Sequence, residues 1–155
     1  MLQGENKPKT LVSADEEKLV GRALLTWLNT CEDKPVVKID FENLPEDGVG
    51  MSLSVIQAAA KTRQYIDGSY QAQYQFALIY RLQPEDGESR LAADEALSKI
   101  GAWAERNEEK PALGAGMNVI SVRRDSNAAL LAVYDDGSQD HQILMTMLYE
   151  VTKYG

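Results

Sequence analysis

Residues 69–82 read Ser-Tyr-Gln-Ala-Gln-Tyr-Gln-Phe-Ala-Leu-Ile-Tyr-Arg-Leu, and this stretch decides the fold. Aromatic and apolar residues alternate with mostly polar ones along its whole length. Successive side chains of a β-strand point to opposite faces of a sheet, so the alternation predicts a long strand with one buried face. We expect that face to be core beneath Trp27 and Trp103. The dipeptide Asp67-Gly68 comes directly before the strand and favours a tight hairpin turn.

The segment before this turn is ambiguous. Ala58-Ala59-Ala60 favours a helix by propensity. A turn followed by a long alternating strand instead favours a strand partner over residues 61–66, and we choose the strand. Residues 61–66 and 69–82 are therefore predicted to form a β-hairpin.

Two amphipathic helices are predicted on either side of the first group of strands. The first begins at the capping box Ser13-Ala14-Asp15-Glu16, in which Ser13 accepts from the Glu16 amide and Glu16 reaches back. Pro35 prevents its continuation. We expect Ser89 to be the N-cap of the second helix. Their apolar stripes, at spacings of three and four, are Val20, Ala23, Leu24, Trp27, Leu28 and Cys31, and then Ala93, Ala96, Leu97, Ile100, Trp103 and Ala104.

Five further strands are predicted from alternation and turn residues. They cover residues 36–41, 51–56, 118–124, 129–134 and 141–151. The resulting order is α-β-β-β-β-α-β-β-β, with hairpins rather than βαβ units. This order predicts an α+β fold in which two helices pack on one face of a mainly antiparallel sheet. We expect residues 1–12 to be a flexible arm and residues 13–155 to be a single domain.

The composition narrows the class of protein. The net charge of −8 over 155 residues argues against non-specific nucleic-acid binding and against an anionic membrane surface. Cys31 is the only cysteine, which excludes an intrachain disulfide and fits a reducing compartment. No secretory signal is recognisable, and no apolar run approaches the ~20 residues that span a bilayer. The sequence therefore predicts a protein made in the cytoplasm.

The residue types that carry chemistry do not form a recognisable site. His141 is the only histidine. Asp140 precedes it in a strand and should point to the opposite face, so we expect His141 to be an exposed polar residue rather than a general base. Cys31 lies at the wrong end of a helix for a reactive thiolate. Residues 135–140 are better explained as a hairpin turn than as a calcium loop. We expect no catalytic residue, no metal and no cofactor.

Gln71, Gln73 and Gln75 form a flat, uncharged row on the polar face of the long strand. Such a row is common on the solvated face of an antiparallel sheet. It also suits contact with another subunit, because no charge would have to be desolvated. The residues alone leave both interpretations open.

Several strings of residues resemble one protein family when they are taken in order. They include Met-Ser-Leu-Ser-Val-Ile-Gln at 51–57, Lys-Thr-Arg-Gln-Tyr-Ile at 61–66 and Tyr-Gln-Ala-Gln-Tyr-Gln-Phe at 70–76. Others are Ala-Leu-Leu-Thr-Trp-Leu-Asn-Thr at 23–30, Arg-Leu-Ala-Ala-Asp-Glu-Ala-Leu at 90–97 and Asp-His-Gln-Ile-Leu-Met-Thr at 140–146. The chain resembles, over residues 13–151, the minor capsid or tail-completion proteins of long-tailed phages and prophages of Gram-positive bacteria. Some members of that family carry a misleading label as chloramphenicol resistance proteins.

The resemblance implies a tail terminator, a structural protein and not an enzyme. Such a protein forms a ring, commonly of six subunits, that caps the tail tube and offers a surface to the head–tail connector. Its partners would be its own copies, the tail-tube protein and the connector, and it would reside in the virion after assembly in the bacterial cytoplasm. We place the candidate subunit or tube interface in the hairpin, at Lys61, Arg63, Tyr65, Gln71, Gln73 and Gln75.

Three other interpretations stay open. One is a head-completion or minor capsid protein of the head–tail joint. A second is a small ligand-binding or enzymatic domain, suggested by the resistance label and the polar cluster at residues 135–141. A third is a phage-derived interaction module whose acidic surface mimics DNA.

Overall fold

The computed structural model describes residues 10–45, 48–83 and 87–153. It contains two helices and seven strands in the predicted order, which confirms the α+β prediction. The elements are α1 (Ala14–Leu28), β1 (Ile39–Phe41), β2 (Gly50–Val55), β3 (Ala60–Gln64), β4 (Tyr70–Leu82), α2 (Gly87–Arg106), β5 (Met117–Arg124), β6 (Ala129–Val133) and β7 (Gln139–Val151). Residues 1–9 of the expected arm lie outside the described residues. No helix in the described ranges is long and apolar enough to cross a membrane.

Two 13-residue strands, β4 and β7, form the centre of the sheet. They pair antiparallel over their whole length, from Tyr70 opposite Val151 to Leu82 opposite Gln139. Both β2 and β3 pair along the other edge of β4, and both β5 and β6 pair along the other edge of β7. At the margin, β1 pairs parallel with β2. The sheet is therefore mainly antiparallel, as predicted.

The predicted apolar face of β4 is buried beneath the helices. Tyr74 and Phe76 on β4 and Tyr149 on β7 are all at most 1% exposed. Trp27 of α1 belongs to the same core, and Trp103 of α2 packs against it, with the two ring centroids 4.6 Å apart. Burial of large aromatic side chains is a major source of folding free energy, so these contacts hold the helices on the sheet. The prediction for this face is confirmed.

The N-terminus of α1 confirms half of the predicted capping box. The Ser13 hydroxyl accepts from the Glu16 backbone N–H at 3.1 Å, which satisfies one free donor of the first turn. Glu16 does not reach back to Ser13. Its carboxylate instead accepts from the hydroxyls of Tyr70 and Tyr149, because those buried groups need acceptors. This part of the prediction is wrong, and Glu16 connects α1 to the sheet.

Several predicted boundaries are corrected, including that of the strand predicted over residues 61–66, which runs from Ala60 to Gln64. Helical structure in α2 begins at Gly87, so Ser89 lies inside the first turn and is not the N-cap. The first strand begins at Ile39 rather than at residue 36. The Ile39 N–H donates to Asn29 Oδ1 at 2.7 Å, which ties the start of the strand to the end of α1. The last strand begins two residues before His141, because Gln139 already pairs with Leu82.

The strand pairing repeats itself at an offset of 69 residues. In the first half, β3 pairs with β4 through Ala60–Gln73, Lys61–Ala72, Arg63–Gln71 and Gln64–Tyr70. In the second half, β6 pairs with β7 through Ala129–Gln142, Leu130–His141, Ala132–Asp140 and Val133–Gln139. The bulge falls at the same step, at Thr62 and at Leu131. The pairing of β2 with β4 likewise matches that of β5 with β7 from Ser52–Ile79 and Ser121–Leu148 onward.

Two β-hairpins therefore occupy diagonally opposite corners of the sheet, related by an approximate two-fold axis between β4 and β7. The dipeptide Asp-Gly marks the turn in both, as predicted. Both turns use the sequence Tyr-x-Asp-Gly-Ser, at residues 65–69 and 134–138.

Candidate interaction surface

Hydrogen bonds and one glycine determine the turn of the β3–β4 hairpin. The Tyr65 N–H donates to the Ser69 carbonyl at 2.8 Å, and the Gly68 N–H donates to the Tyr65 carbonyl at 3.1 Å. Gly68 has φ of 91°, a left-handed conformation that glycine adopts without strain. Asp67 Oδ1 accepts from the Ser69 N–H at 2.9 Å. These bonds fix the three-residue loop that carries residues 66–68.

The six predicted interface residues lie on this hairpin but not on one face. Lys61 is on the helix side, with Nζ 4.5 Å from the centroid of the Tyr70 ring. Arg63 is exposed and lies opposite Gln71, on the face turned away from the helices. Tyr65 is exposed near the turn. The hairpin thus presents cationic groups on both sides of its edge.

The glutamine row lies on the face of the sheet turned away from the helices. Gln71, Gln73 and Gln75 are half-buried. Their partners on β7 are Glu150, Leu148 and Thr146, in that order. The rows beyond them pair Ala77 with Leu144 and Ile79 with Gln142. The middle pairs of β4 and β7 are therefore uncharged and partly apolar, which suits a protein contact, and the Arg123–Asp125 ion pair at the end of β5 lies beside them at Thr146.

One exposed residue of this hairpin was not predicted. Ile66 is fully exposed at the turn. A groove of about 710 Å³ runs beside it and is lined by Gln64, Tyr65, Ile66, Asp67, Ser69 and Thr152. The sequence signal was the position of an isoleucine next to Asp-Gly, where hairpin loops are usually polar.

The β6–β7 hairpin forms a second exposed surface. The sequence predicted only a turn there. Its loop repeats the first one, with the Tyr134 N–H donating to the Ser138 carbonyl at 2.9 Å and Gly137 at φ of 88°. Asp136 Oδ1 accepts from the Ser138 N–H at 2.9 Å. The adjoining strand β6 exposes Leu130, Leu131 and Val133 by 48%, 46% and 59%. The repeated Tyr-x-Asp-Gly-Ser motif could have marked it.

An ion pair between the partly exposed Arg81 and the buried Asp140 closes one end of the open face. Arg81 donates to both oxygens of Asp140, from Nε at 2.7 Å and from Nη2 at 2.9 Å. The Tyr134 hydroxyl donates to Asp140 Oδ2 at 2.6 Å. Burial alone would raise the pKa of Asp140, but the hydrogen bonds from Arg81 and Tyr134 hold that pKa below its ordinary value. The carboxylate therefore stays charged and ties β4 to the β6–β7 hairpin.

His141 is buried, so its predicted exposure is wrong. It is 2% exposed, because α2 covers the beginning of β7 and brings Asp94 to within 2.8 Å of Nδ1. Nε2 lies 3.1 Å from the side-chain amide of Gln139. With the Gln139 nitrogen donating to Nε2, its oxygen accepts from Arg90 Nε at 3.2 Å. Both ring nitrogens are thus occupied. Asp140 does point to the opposite face, as predicted.

The other candidate reactive residues, like His141, have structural roles. Cys31 is fully buried, and burial raises the pKa of its thiol, which disfavours the reactive thiolate. Within residues 10–45, 48–83 and 87–153, no three His, Cys, Asp or Glu side chains cluster in a way that could hold a metal ion. The residues of the polar cluster at 135–141 serve separate structural roles: some form the turn, Asp140 pairs with Arg81, and His141 contacts Asp94.

Comparison with known proteins shows likeness in structure only. No family model matches the sequence, and no curated protein matches it at a significant level. A chain in the virion of a native gene transfer agent particle is 16% identical, with a TM-score of 0.49 and coverage of 90% of this chain and 87% of that chain. A second solved structure is 18% identical, with a TM-score of 0.46 and coverage of 93% and 99%. Likeness at these values does not assign a function.

Proposed function

We propose that this chain is a structural assembly protein of a phage or prophage virion, and that it acts as a tail terminator. In this proposal, copies of the chain form a ring that caps the tail tube and presents a second surface to the head–tail connector. The chain performs no catalysis and needs no cofactor.

The support comes from the order of the resembling strings. Three of them, at 51–57, 61–66 and 70–76, fall on consecutive strands β2, β3 and β4. The strings at 23–30, 90–97 and 140–146 fall on α1, α2 and β7. The resemblance therefore covers both helices and the central strands, rather than a single local motif. This continuity is the observation that carries the proposal.

The surfaces agree with an assembly role. The middle pairs of β4 and β7 on the open face carry no charge, and the two hairpins expose Ile66, Leu131 and Val133. Leu131 and Val133 are exposed on the same strand, and grouped exposed apolar residues of this kind mark contact sites more often than ordinary solvated surface. A chain with net charge −8 would also release DNA readily if a ring surrounded it.

The chemistry-bearing residues give the enzymatic alternative little support. His141 has both ring nitrogens hydrogen-bonded and is 2% exposed. A general base needs a free nitrogen within reach of a substrate proton. A depression of about 320 Å³ at the β6–β7 turn is lined by Arg81, Tyr134, Asp135, Asp136 and Ser138 and not by His141.

The test is polymerisation of a tail-tube protein from the same phage or prophage genome, with and without the purified chain. A terminator shortens the tubes in proportion to its concentration, and electron microscopy should place it at one tube end. Binding to the connector without any effect on tube length would favour the head-completion alternative. Absence of binding to both partners would contradict an assembly role.

A further inference from the structure

Two edge strands at opposite corners of the sheet carry complementary chemistry, and we propose that they join successive copies of this chain head to tail. The basic corner consists of β3 and its turn, with Lys61, Arg63 and Ile66. The acidic corner consists of β6 and its turn, with Leu131, Val133, Asp135 and Asp136. The basic corner of one copy docks on the acidic corner of the next. This inference rests on the proposed function, for which it supplies the contact between subunits.

Both corners have the same backbone geometry. The repeat at an offset of 69 residues places β3 on β4 as it places β6 on β7, including the bulge. An antiparallel pairing of β3 with β6 of a second copy would repeat, between chains, the two-fold relation of β4 and β7 within one chain. Both strands therefore present edges of the same backbone geometry, each with one bulge.

The outer edges of both strands are largely open within the described residues. In β3, only Ala60 has a bridge on that side, to Leu11, next to a hydrogen bond from the Val12 N–H to the Ala59 carbonyl. In β6, the ladder joins β7 and no other described strand. Open edges offer unpaired N–H and C=O groups to a further strand.

The acidic corner lacks the usual protection of an edge. Natural edge strands carry charges, prolines or bulges that discourage pairing with another chain. The strand β6 reads Ala-Leu-Leu-Ala-Val and contains no charged residue, although Leu130, Leu131 and Val133 are about half-exposed. The bulge at Leu131 is the one feature of this strand that discourages pairing with another chain. A strand of this composition is expected to be covered in the assembled state.

The opposite charges of the two corners identify a second copy of this chain as the partner that docks on each corner. The basic corner carries Lys61, Arg63 and the exposed Asp67, so it remains net positive, and neither cation forms an ion pair with another described residue. The acidic corner carries Asp135 and Asp136, both exposed. In the antiparallel pairing, the Lys61 end of β3 lies beside the end of β6 that leads to Asp135. Pairing of two basic corners would instead oppose like charges, which is unfavourable.

The test uses two variants that each block one corner. Lys61→Glu with Arg63→Glu reverses the charge of the basic corner, and Val133→Lys places a cation on the acidic corner edge. Matched controls are Lys18→Glu with Arg22→Glu on the exposed face of α1, and Leu91→Lys on α2. Association is measured by sedimentation velocity over a range of concentrations, and folding is checked by circular dichroism.

We expect the wild type and both controls to associate. Each corner variant should be monomeric, with a dissociation constant raised at least about 100-fold, or roughly 2.7 kcal/mol. An equimolar mixture of the two corner variants should form a dimer and nothing larger, because each supplies one intact corner. If the basic-corner variant fails to fold, Arg63→Glu alone replaces it. If the acidic-corner variant fails to fold, Asp135→Lys replaces it.

Three results would overturn the inference: a monomeric wild type at high concentration, full association of either corner variant, or a mixture that stays monomeric. The last result would indicate a symmetric contact or a different partner. None of these results concerns binding to the tail tube, so failure of the corner contact and failure of the proposed function can be told apart.

Discussion

The carboxylate of Glu16 and the hydroxyl of Tyr149 lie 2.7 Å apart and join the first turn of α1 to the C-terminal part of β7. Tyr70, on the neighbouring central strand, donates to the other oxygen of the same carboxylate. Burial, together with the Glu16 charge, raises the pKa of both tyrosines, so both hydroxyls remain donors. One acidic residue thus connects a helix to both central strands.

Glu16→Gln should therefore reduce the free energy of unfolding by about 2 kcal/mol, because charge-assisted bonds to buried hydroxyls are lost. Asp15→Asn is the matched control, since Asp15 is exposed in the same turn and should cost less than about 1 kcal/mol. Urea denaturation measures both. In a double-mutant cycle with Tyr149→Phe, strict additivity would contradict the contact.

Asp140→Asn should lower stability at neutral pH by about 3 kcal/mol, because it leaves the Arg81 guanidinium without its partner charge. The folded pKa of Asp140 lies below its unfolded value, so its stabilisation is present above pH ~4 and is lost as pH falls further. Denaturation at pH 7 and pH 3 should show a smaller acid-induced loss in the variant than in the wild type. Asp135→Asn is the exposed control, and an unchanged acid dependence of Asp140→Asn would contradict this role.

Gly21→Ala should destabilise the protein although alanine is the better helix former. A Cβ at Gly21 would lie 2.6 Å from the Tyr74 hydroxyl oxygen, and the core packed around that ring, which is 1% exposed, resists its displacement. Overpacking of this kind costs about 1–3 kcal/mol, more than the propensity gain. Thermal unfolding should show the loss, and Tyr74→Phe in the same chain should recover part of it. Equal stability of Gly21→Ala and the wild type would show that α1 can shift.

Gln73→Glu should weaken assembly and leave the fold intact. Gln73 is half-buried on the open face opposite Leu148, so a carboxylate would be desolvated in any contact made there. We expect self-association or tube binding at least about tenfold weaker, with a stability change within about 0.5 kcal/mol. Gln57→Glu, at an exposed loop position, is the control. Unfolding caused by Gln73→Glu would contradict the position of Gln73 on the open face, and binding equal to that of the wild type would contradict a contact there.

The alternation of residues 69–82 predicted β4 and its buried face, because the period of a strand is a local property. The Asp-Gly turns were predictable for the same reason. The parallel pairing of β1 with β2 was not, since it depends on where the loop before Gly50 returns the chain. His141 was expected at the surface because its burial depends on Asp94, 47 residues earlier in the chain.

The candidate surface shows the same division. The sequence placed Arg63 and Gln71 on one hairpin, and the structure shows them as neighbours across the strands. It did not separate Lys61 from Arg63, because the bulge between them changes the face of the sheet on which each lies. The exposure of Val133 could not be inferred either, since an apolar strand of five residues is equally typical of a buried core strand.

The repeated pairing pattern also affects how images of an assembly should be interpreted. One half of the sheet repeats the strand pairing of the other half, although a single core joins them. If the chains close into a ring of n copies, an averaged low-resolution image would present 2n similar half-sheets. A subunit count taken from that pseudo-symmetry would be twice the true value, and mass measurement would be the reliable way to count subunits.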